Sequence, residues 1–450
     1  MRNLKRALSL TLASVMLLGM MVVGSSAAVG YPDVAEDDNV EAIEVVQSVG
    51  VMVGDENGNF RPGDSVSRAE MAVVMGKLLN LDYNYYSATC PFTDVSGVYD
   101  WARGWVGAAA ANGIVSGRGD GIYDPAATVT AVEAASMMMR ALGYFKYQND
   151  YADGFEVSTV RLGTTIGIFD GVGSSATEPM TRNQVAQMVL NALQSAVVEP
   201  DGNTINLTTP DGTVYTGKVN YVSVTSDKIF ASAISTTRAT SVGSYNDGWI
   251  VELGERLYDG KLKLTDTTDA FMRPARHWEF DGKDIGTYVK KEQLRQEWSV
   301  KVTGRMLYDV LTKPTIDDYD FTIAVDGVET VQENKSALGS AFFTKGNLIR
   351  SNTEKVGETG KGVLTQVFVD VDNEDVYVAV INTYLAKAPA DYNEKRDEAT
   401  FEVWSVEDTN NSTTNKLLVK DKGEKETLTL SGEDFEVEDV KKDDIILVQV

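Results

Sequence analysis

Two arginines in this chain stand where helices are expected to begin. Arg68 follows Ser67 and Arg182 follows Thr181, with Glu70 and Gln184 three residues after each hydroxyl. In such a capping box the hydroxyl accepts from an orphan backbone N–H, and the longer side chain reaches back to the cap's own N–H. A cation in a first turn gains nothing from the helix dipole. The same place suits an anion, because free backbone N–H groups and a guanidinium fork converge on it. The alternative is a surface arginine paired with a neighbouring acid. A third unit, Thr130-Ala131-Val132-Glu133, keeps the cap and has alanine where the arginine would be. Cap and cation are therefore separable, the first structural and the second a candidate for binding.

The elements that must position these side chains recur. Behind Ser67, Met71, Val74, Met75 and Leu78 follow helical spacing and give one buried stripe. Upstream of the caps lie the glycine pairs Gly50/Gly54, Gly113/Gly117 and Gly167/Gly171. Gly54 to Arg68 and Gly117 to Ala131 both span fourteen residues, whereas Gly171 to Arg182 spans eleven. The first glycine of each pair follows an apolar helix-like stretch and suits a left-handed stop. Between pair and cap, Asn57-Gly58-Asn59-Phe60 with Pro62, and Asp120-Gly121-Ile122-Tyr123 with Pro125, are turn chemistry carrying one aromatic plug. Each unit is thus helix, loop, helix, and since none buries its apolar face alone, three should pack together.

With its openings Tyr31-Pro32-Asp33-Val34 and Phe92-Thr93-Asp94-Val95, its glycine turns, aromatic-x-Pro loops and Ser/Thr-Arg-Ala-Glu type caps, the segment from about 31 to 197 resembles the S-layer homology family of bacterial surface anchors. The resemblance implies an all-α module of three helix-loop-helix repeats with pseudo-threefold symmetry, binding cell-wall polysaccharide, often through pyruvylated sugars. On that basis Arg68 and Arg182 are expected to clamp a sugar carboxylate. One or two competent pockets are expected rather than three, because Ala131 departs from the pattern. Asp33 and Asp94 either hydrogen-bond sugar hydroxyls or cap the following helix. Trp101 and Trp105 offer a sugar-stacking face or pack in the core. The third repeat lacks a clear aromatic-x-Asp-Val opening and is the most degenerate.

Arg2, Lys5 and Arg6 precede an apolar run from Ala7 to Val23 and the small residues Gly24 to Ala28. This pattern marks residues 1–28 as a secretory signal cleaved after Ala28, the alternative being a membrane anchor. No later stretch reaches the roughly 18 apolar residues of a spanning helix. The lone cysteine, Cys90, excludes an intramolecular disulfide. Net charge is −25, and residues 29–200 alone carry 9 Lys/Arg against 22 Asp/Glu. Nucleic acid, which needs a basic face, is not an expected partner. Arg118-Gly119-Asp120 spells an adhesion tripeptide, but glycine and aspartate belong there for turn reasons.

Beyond Pro200 the period changes from helical to short β-branched runs, and a mainly β (α+β) remainder is expected. Strands are read at Lys218–Thr225, Trp249–Leu253, Trp298–Val302, Phe321–Val325, Val363–Val369, Val376–Ile381, Phe401–Trp404 and Ile445–Val450. Asp326-Gly327 and Asp372–Asp375 are tight turns, and short helices are read near Lys290–Arg295 and Arg305–Leu311. The expected divisions are 29–91, 92–150 and 151–198 for the repeats, with β-rich domains over 199–320 and 321–450. His277 is the only histidine, which leaves little basis for a histidine metal site or a Ser-His-acid triad. Asp370, Asp372 and Asp375 lack the glycine and distal glutamate of an EF-hand. No catalytic residue, metal or cofactor is assigned. The expectation is a non-enzymatic, secreted surface-layer protein anchored to wall polysaccharide and self-assembling. A wall-anchored glycan-active enzyme or an adhesin is the alternative.

Overall fold

The structure is a computed structural model describing residues 30–35, 37–201, 206–208, 214–216, 219–225, 250–258, 260–333, 363–404, 426–431 and 439–449. The signal segment 1–28 lies outside these. The chain divides into two compact units, one of residues 29–265 and 278–285, the other of 266–277 and 286–450.

The first unit is mainly helical. Its helices are α1 (Val40–Ser48), α2 (Arg68–Leu78), α3 (Tyr83–Tyr86), α4 (Asp100–Ala111), α5 (Ala131–Leu142), α6 (Phe155–Thr165), α7 (Arg182–Leu193) and α8 (Leu253–Tyr258). Complete capping boxes start α2, α5 and α7 at Ser67, Thr130 and Thr181. Helices α1, α4 and α6 stop at Gly50, Gly113 and Gly167, whose φ values of 74°, 72° and 76° are the left-handed geometry that glycine adopts freely. Phe60 and Tyr123 are fully buried plugs.

The helices interlock in a cycle: α4 packs on α2, α6 on α5, and α1 on α7. The segments before the three caps close it with a ring of backbone bonds. Val66 N donates to Met180 O, Met180 N to Val129 O and Val129 N to Val66 O, each at 2.9 Å. Beyond the helices, short antiparallel pairs join β1 (Val198–Pro200) to β4 (Tyr221–Ser223) and β2 (Asn206–Thr208) to β3 (Val214–Thr216). The strand expected over Trp249–Leu253 is corrected. Trp249 lies outside the described residues, Ile250 and Glu252 make isolated bridges to Thr225 and Ala196, and Leu253 already begins α8.

Strands β5 (Leu262–Thr268), β6 (Pro274–Phe280) and β7 (Lys283–Val289) form a three-stranded sheet in that order. In the second unit a five-stranded sheet has the order β10 (Val328–Glu333), β9 (Asp320–Val325), β12 (Asp375–Asn382), β11 (Val363–Asp370), β8 (Leu294–Trp298). Only β12 and β9 run parallel. Helix α9 (Gly304–Asp318), capped by Thr303, lays Leu307 and Leu311 against Phe321, Val367 and Val378. A four-stranded sheet, β15 (Glu426–Ser431), β14 (Glu398–Trp404), β13 (Tyr384–Lys387), β16 (Ile445–Val448), closes over Ala386 and Phe401. Two boundaries differ from expectation. The strand read over Trp298–Val302 instead ends at Trp298, and Lys290–Arg295 holds a single 3-10 turn before that strand begins.

Candidate functional site

The cap arginines are used differently from the sequence-level expectation. Arg68 is 4% exposed. Its Nε donates to Tyr123 O at 2.9 Å, Nη2 to Ser116 O at 2.9 Å and Nη1 to Glu133 Oε1 at 3.0 Å. The guanidinium also lies 4.6 Å from the Tyr123 ring centroid, and Tyr123 OH donates back to Arg68 O. Arg182 repeats the pattern on the first loop, with Nε to Phe60 O, Nη2 to Val53 O, and the cation over the Phe60 ring. Each arginine rivets an aromatic loop distant in sequence, 55 residues away for Arg68 and 122 for Arg182. Burial pushes the Arg182 pKa down and that of the Tyr123 phenol up.

Nor are the first-turn N–H groups free for an anion. Arg68 N donates to Ala127 O, Ala69 N to Pro125 O and Glu70 N to Ser67 Oγ. The other two caps show the same three bonds: Ala131 N to Glu178 O, Val132 N to Ala176 O and Glu133 N to Thr130 Oγ1, then Arg182 N to Asp64 O, Asn183 N to Pro62 O and Gln184 N to Thr181 Oγ1. Ala131 faces no arginine-and-aromatic partnership, and the loop between Gly171 and Thr181 is the one shortened by three residues.

Asp33 and Asp94 cap no helix; α1 and α4 have no side-chain cap bond. Asp33 accepts from Phe60 N at 2.8 Å and Arg61 N at 2.6 Å, and Asp94 from Tyr123 N at 2.9 Å and Asp124 N at 2.7 Å. They pin the aromatic loops to the unit openings. Gly54 and Gly117 are required there, since a Cβ on either would lie 2.3 Å from Tyr31 Cε1 or 2.5 Å from Phe92 Cε1. Trp101 is 53% exposed on α4, whereas Trp105 stacks on Tyr83 at 4.1 Å. Cys90 is a half-buried free thiol, and Arg118-Gly119-Asp120 lies in a turn.

A groove of about 380 Å³ opens beside the second glycine turn, lined by Arg68, Arg118, Arg140, Ser116, Glu133 and Phe155 among others. Arg140, in the last turn of α5, donates through Nη1 to Ile114 O and Ser116 Oγ, both at 3.2 Å, and through Nε and Nη2 to Tyr151 OH. Arg118 is 47% exposed on its side chain, 3.1 Å from Asp124 and 3.5 Å from Glu133. Three guanidinium groups thus line the groove against one carboxylate, in a chain of net charge −25. The sequence did not mark Arg118 and Arg140 as neighbours in one groove. A signal existed: Lys77, Arg140 and Asn191 all fall ten residues after their caps. Asn191, like Arg140, donates to its own turn, at Ile168 O and Asp170 O.

In the second unit the residues considered for chemistry make local hydrogen bonds. Asp370 accepts from Asp372 N, Asn373 N, Asn373 Nδ2 and Gln293 Nε2; against the opposing effect of burial, the Asn373 backbone and side chain, then Gln293 and the Lys290 charge, hold its carboxyl below the usual range. His277 Nδ1 lies 3.0 Å from Thr287 Oγ1. Among the described residues no cluster of His, Cys, Asp and Glu has metal-site geometry, and no helix is long and apolar enough to cross a membrane.

The S-layer homology domain family matches this chain at residues 30–72 and 91–135. An S-layer protein of Bacillus thuringiensis subsp. finitimus is 28% identical over 138 residues, 30% of this chain and 16% of that protein. A surface layer protein of Brevibacillus choshinensis is 28% identical over 197 residues, 43% of this chain and 17% of the relative. An amylopullulanase of Thermoanaerobacterium thermosulfurigenes is 32% identical over 112 residues, 24% of this chain and 6% of the relative. The similarity therefore spans only about a sixth of the length of the surface-layer relatives.

Proposed function

We propose that residues 30–197 hold this protein non-covalently to polysaccharide of a bacterial cell wall, and that the sheet-rich remainder displays or self-assembles as surface-layer material. The observation that carries this is the cationic groove beside Arg118 and Arg140, set in an otherwise acidic chain and in a segment with S-layer homology matches. An acidic, pyruvylated sugar has the carboxylate such a groove selects, and guanidinium forks match it in geometry.

Within this reading the module is a three-repeat ring. Arg68 serves the site by fixing its wall, Arg182 by fixing the first aromatic loop, Asp33 and Asp94 by holding the aromatic loops, and exposed Trp101 by offering a sugar-stacking face. Export by the 1–28 signal delivers the chain to the wall surface. No catalytic role is assigned to any residue. The match to a protein named amylopullulanase favours a wall-anchored enzyme as the second reading.

Separate expression of residues 29–197 and 201–450, each incubated with purified cell wall, tests the assignment. Sedimentation of the first piece alone is expected. Binding confined to the second overturns the anchor.

A further inference from the structure

The two complete glycine-aromatic loops share one frame, with opposite polarity. Asp55 follows Gly54 and Arg61 follows Phe60; in the second loop Arg118 follows Gly117 and Asp124 follows Tyr123. Both loops close with the same ion pair, Arg61 to Asp55 at 3.7 Å and Arg118 to Asp124 at 3.1 Å. As structure the exchange is neutral, since the loop keeps its cross-link. As electrostatics it is not. The position just past the glycine turn presents a carboxylate in the first loop and a guanidinium in the second.

At the second loop, that guanidinium joins Arg68 and Arg140 around Glu133. Arg68 is consumed: all three of its nitrogens donate within the chain, and it is buried. Arg140 donates to neutral oxygens of Ile114, Ser116 and Tyr151, so its charge is uncompensated by those bonds. Arg118 is the half-exposed member, with side-chain carboxylates at 3.1 and 3.5 Å. At the first loop, Asp55 accepts from Asn57 N and Asn59 N, and its carboxylate is fixed beside Arg61.

We infer that Arg118, backed by the uncompensated charge of Arg140, is the residue that captures an anionic substituent of the wall polymer, and that the Asp55 loop has no equivalent capture group. This rests on the anchoring reading above and makes it specific: one anion-selective groove, chosen by the loop residue after the glycine turn and not by the cap arginine. The substituent is a carboxylate or a phosphate, both of which match a guanidinium fork.

The test uses the full chain and wall polysaccharide of the producing bacterium in three preparations: untreated, carboxyl-reduced and dephosphorylated. Wild type, Arg118→Gln and Arg61→Gln are compared by titration calorimetry, with far-UV ellipticity confirming the fold. Arg61, 51% exposed against 47% for Arg118, controls for loss of a loop cation. The expected result is roughly ten-fold or more weaker binding by Arg118→Gln, the scale of one lost charge-assisted hydrogen bond, with Arg61→Gln unchanged. Wild-type affinity should fall similarly on whichever treated preparation has lost the recognised anion. Unaltered wild-type binding to both treated polymers overturns the inference, as does equal binding by Arg118→Gln and wild type. Failure of wild type to bind the untreated polymer removes the anchoring reading itself.

Discussion

Replacing Arg68 by alanine should destabilise the helical unit far more than it perturbs any surface property. The guanidinium donates to two backbone carbonyls, Tyr123 O and Ser116 O, and to Glu133, and it is 4% exposed. Removing one partner of a buried ion pair costs about 3–5 kcal/mol. Glu133 is 19% exposed and keeps Arg118 at 3.5 Å and the Thr130 N–H at 3.1 Å, so the ionic part falls at the low end. Two stranded carbonyls add cost, and water entering the groove offsets part of it. The sum is about 3 kcal/mol. Arg61→Ala removes only exposed ion pairs and should cost under about 1 kcal/mol. Urea unfolding followed at 222 nm, which reports mainly the helical unit, measures both. A loss below about 1 kcal/mol for Arg68→Ala would refute the rivet and return this arginine to the role of an accessible clamp.

Other perturbations follow from the same frame. Gly117→Ala places a Cβ 2.6 Å from the backbone oxygen of Ile122 and should unfold the loop, whereas Gly58→Ala, at φ 77° in open space, should cost only about 1 kcal/mol in the same denaturation assay. Tyr123→Phe removes a buried hydroxyl that donates to Arg68 O, and about 1 kcal/mol is expected by thermal unfolding. Thr181→Ala deletes the cap of α7 and should cost about 1 kcal/mol by urea titration. The Asp55 carboxyl is held below its ordinary value, mainly by the Asn59 N–H, then by the Asn57 N–H and Arg61. A depressed folded-state pKa stabilises above the unfolded value and is lost as pH falls through the folded one, so Asp55→Asn should flatten the acid limb of a stability–pH curve.

What could be read in advance was local. A capping box is four consecutive residues, and all three formed as read. The Asp326-Gly327 turn lies between antiparallel strands with Val325 opposite Val328. The partners of the cap arginines are long-range: Tyr123 is 55 residues from Arg68, and Val53 is 129 from Arg182. The spacing that marks a helix start carries no information about which distant loop docks on it. The same limit hid the use of the first-turn N–H groups, such as those of Arg68, Ala131 and Arg182, which donate to segments distant in sequence. The strand Leu262–Thr268 escaped because only Leu262 and Leu264 face inward and the rest is polar. The strand Lys283–Val289 was masked by Gly286 within it. Arg140 sits among methionines and alanines in α5, and its spacing from the cap does not say which turn its guanidinium meets.

The most direct test of wall anchoring is sedimentation of the intact protein with bacterial sacculi before and after their attached polysaccharide is extracted. Binding to the untreated sacculi and its loss on extraction is the predicted result. Equal sedimentation with stripped peptidoglycan would contradict the account.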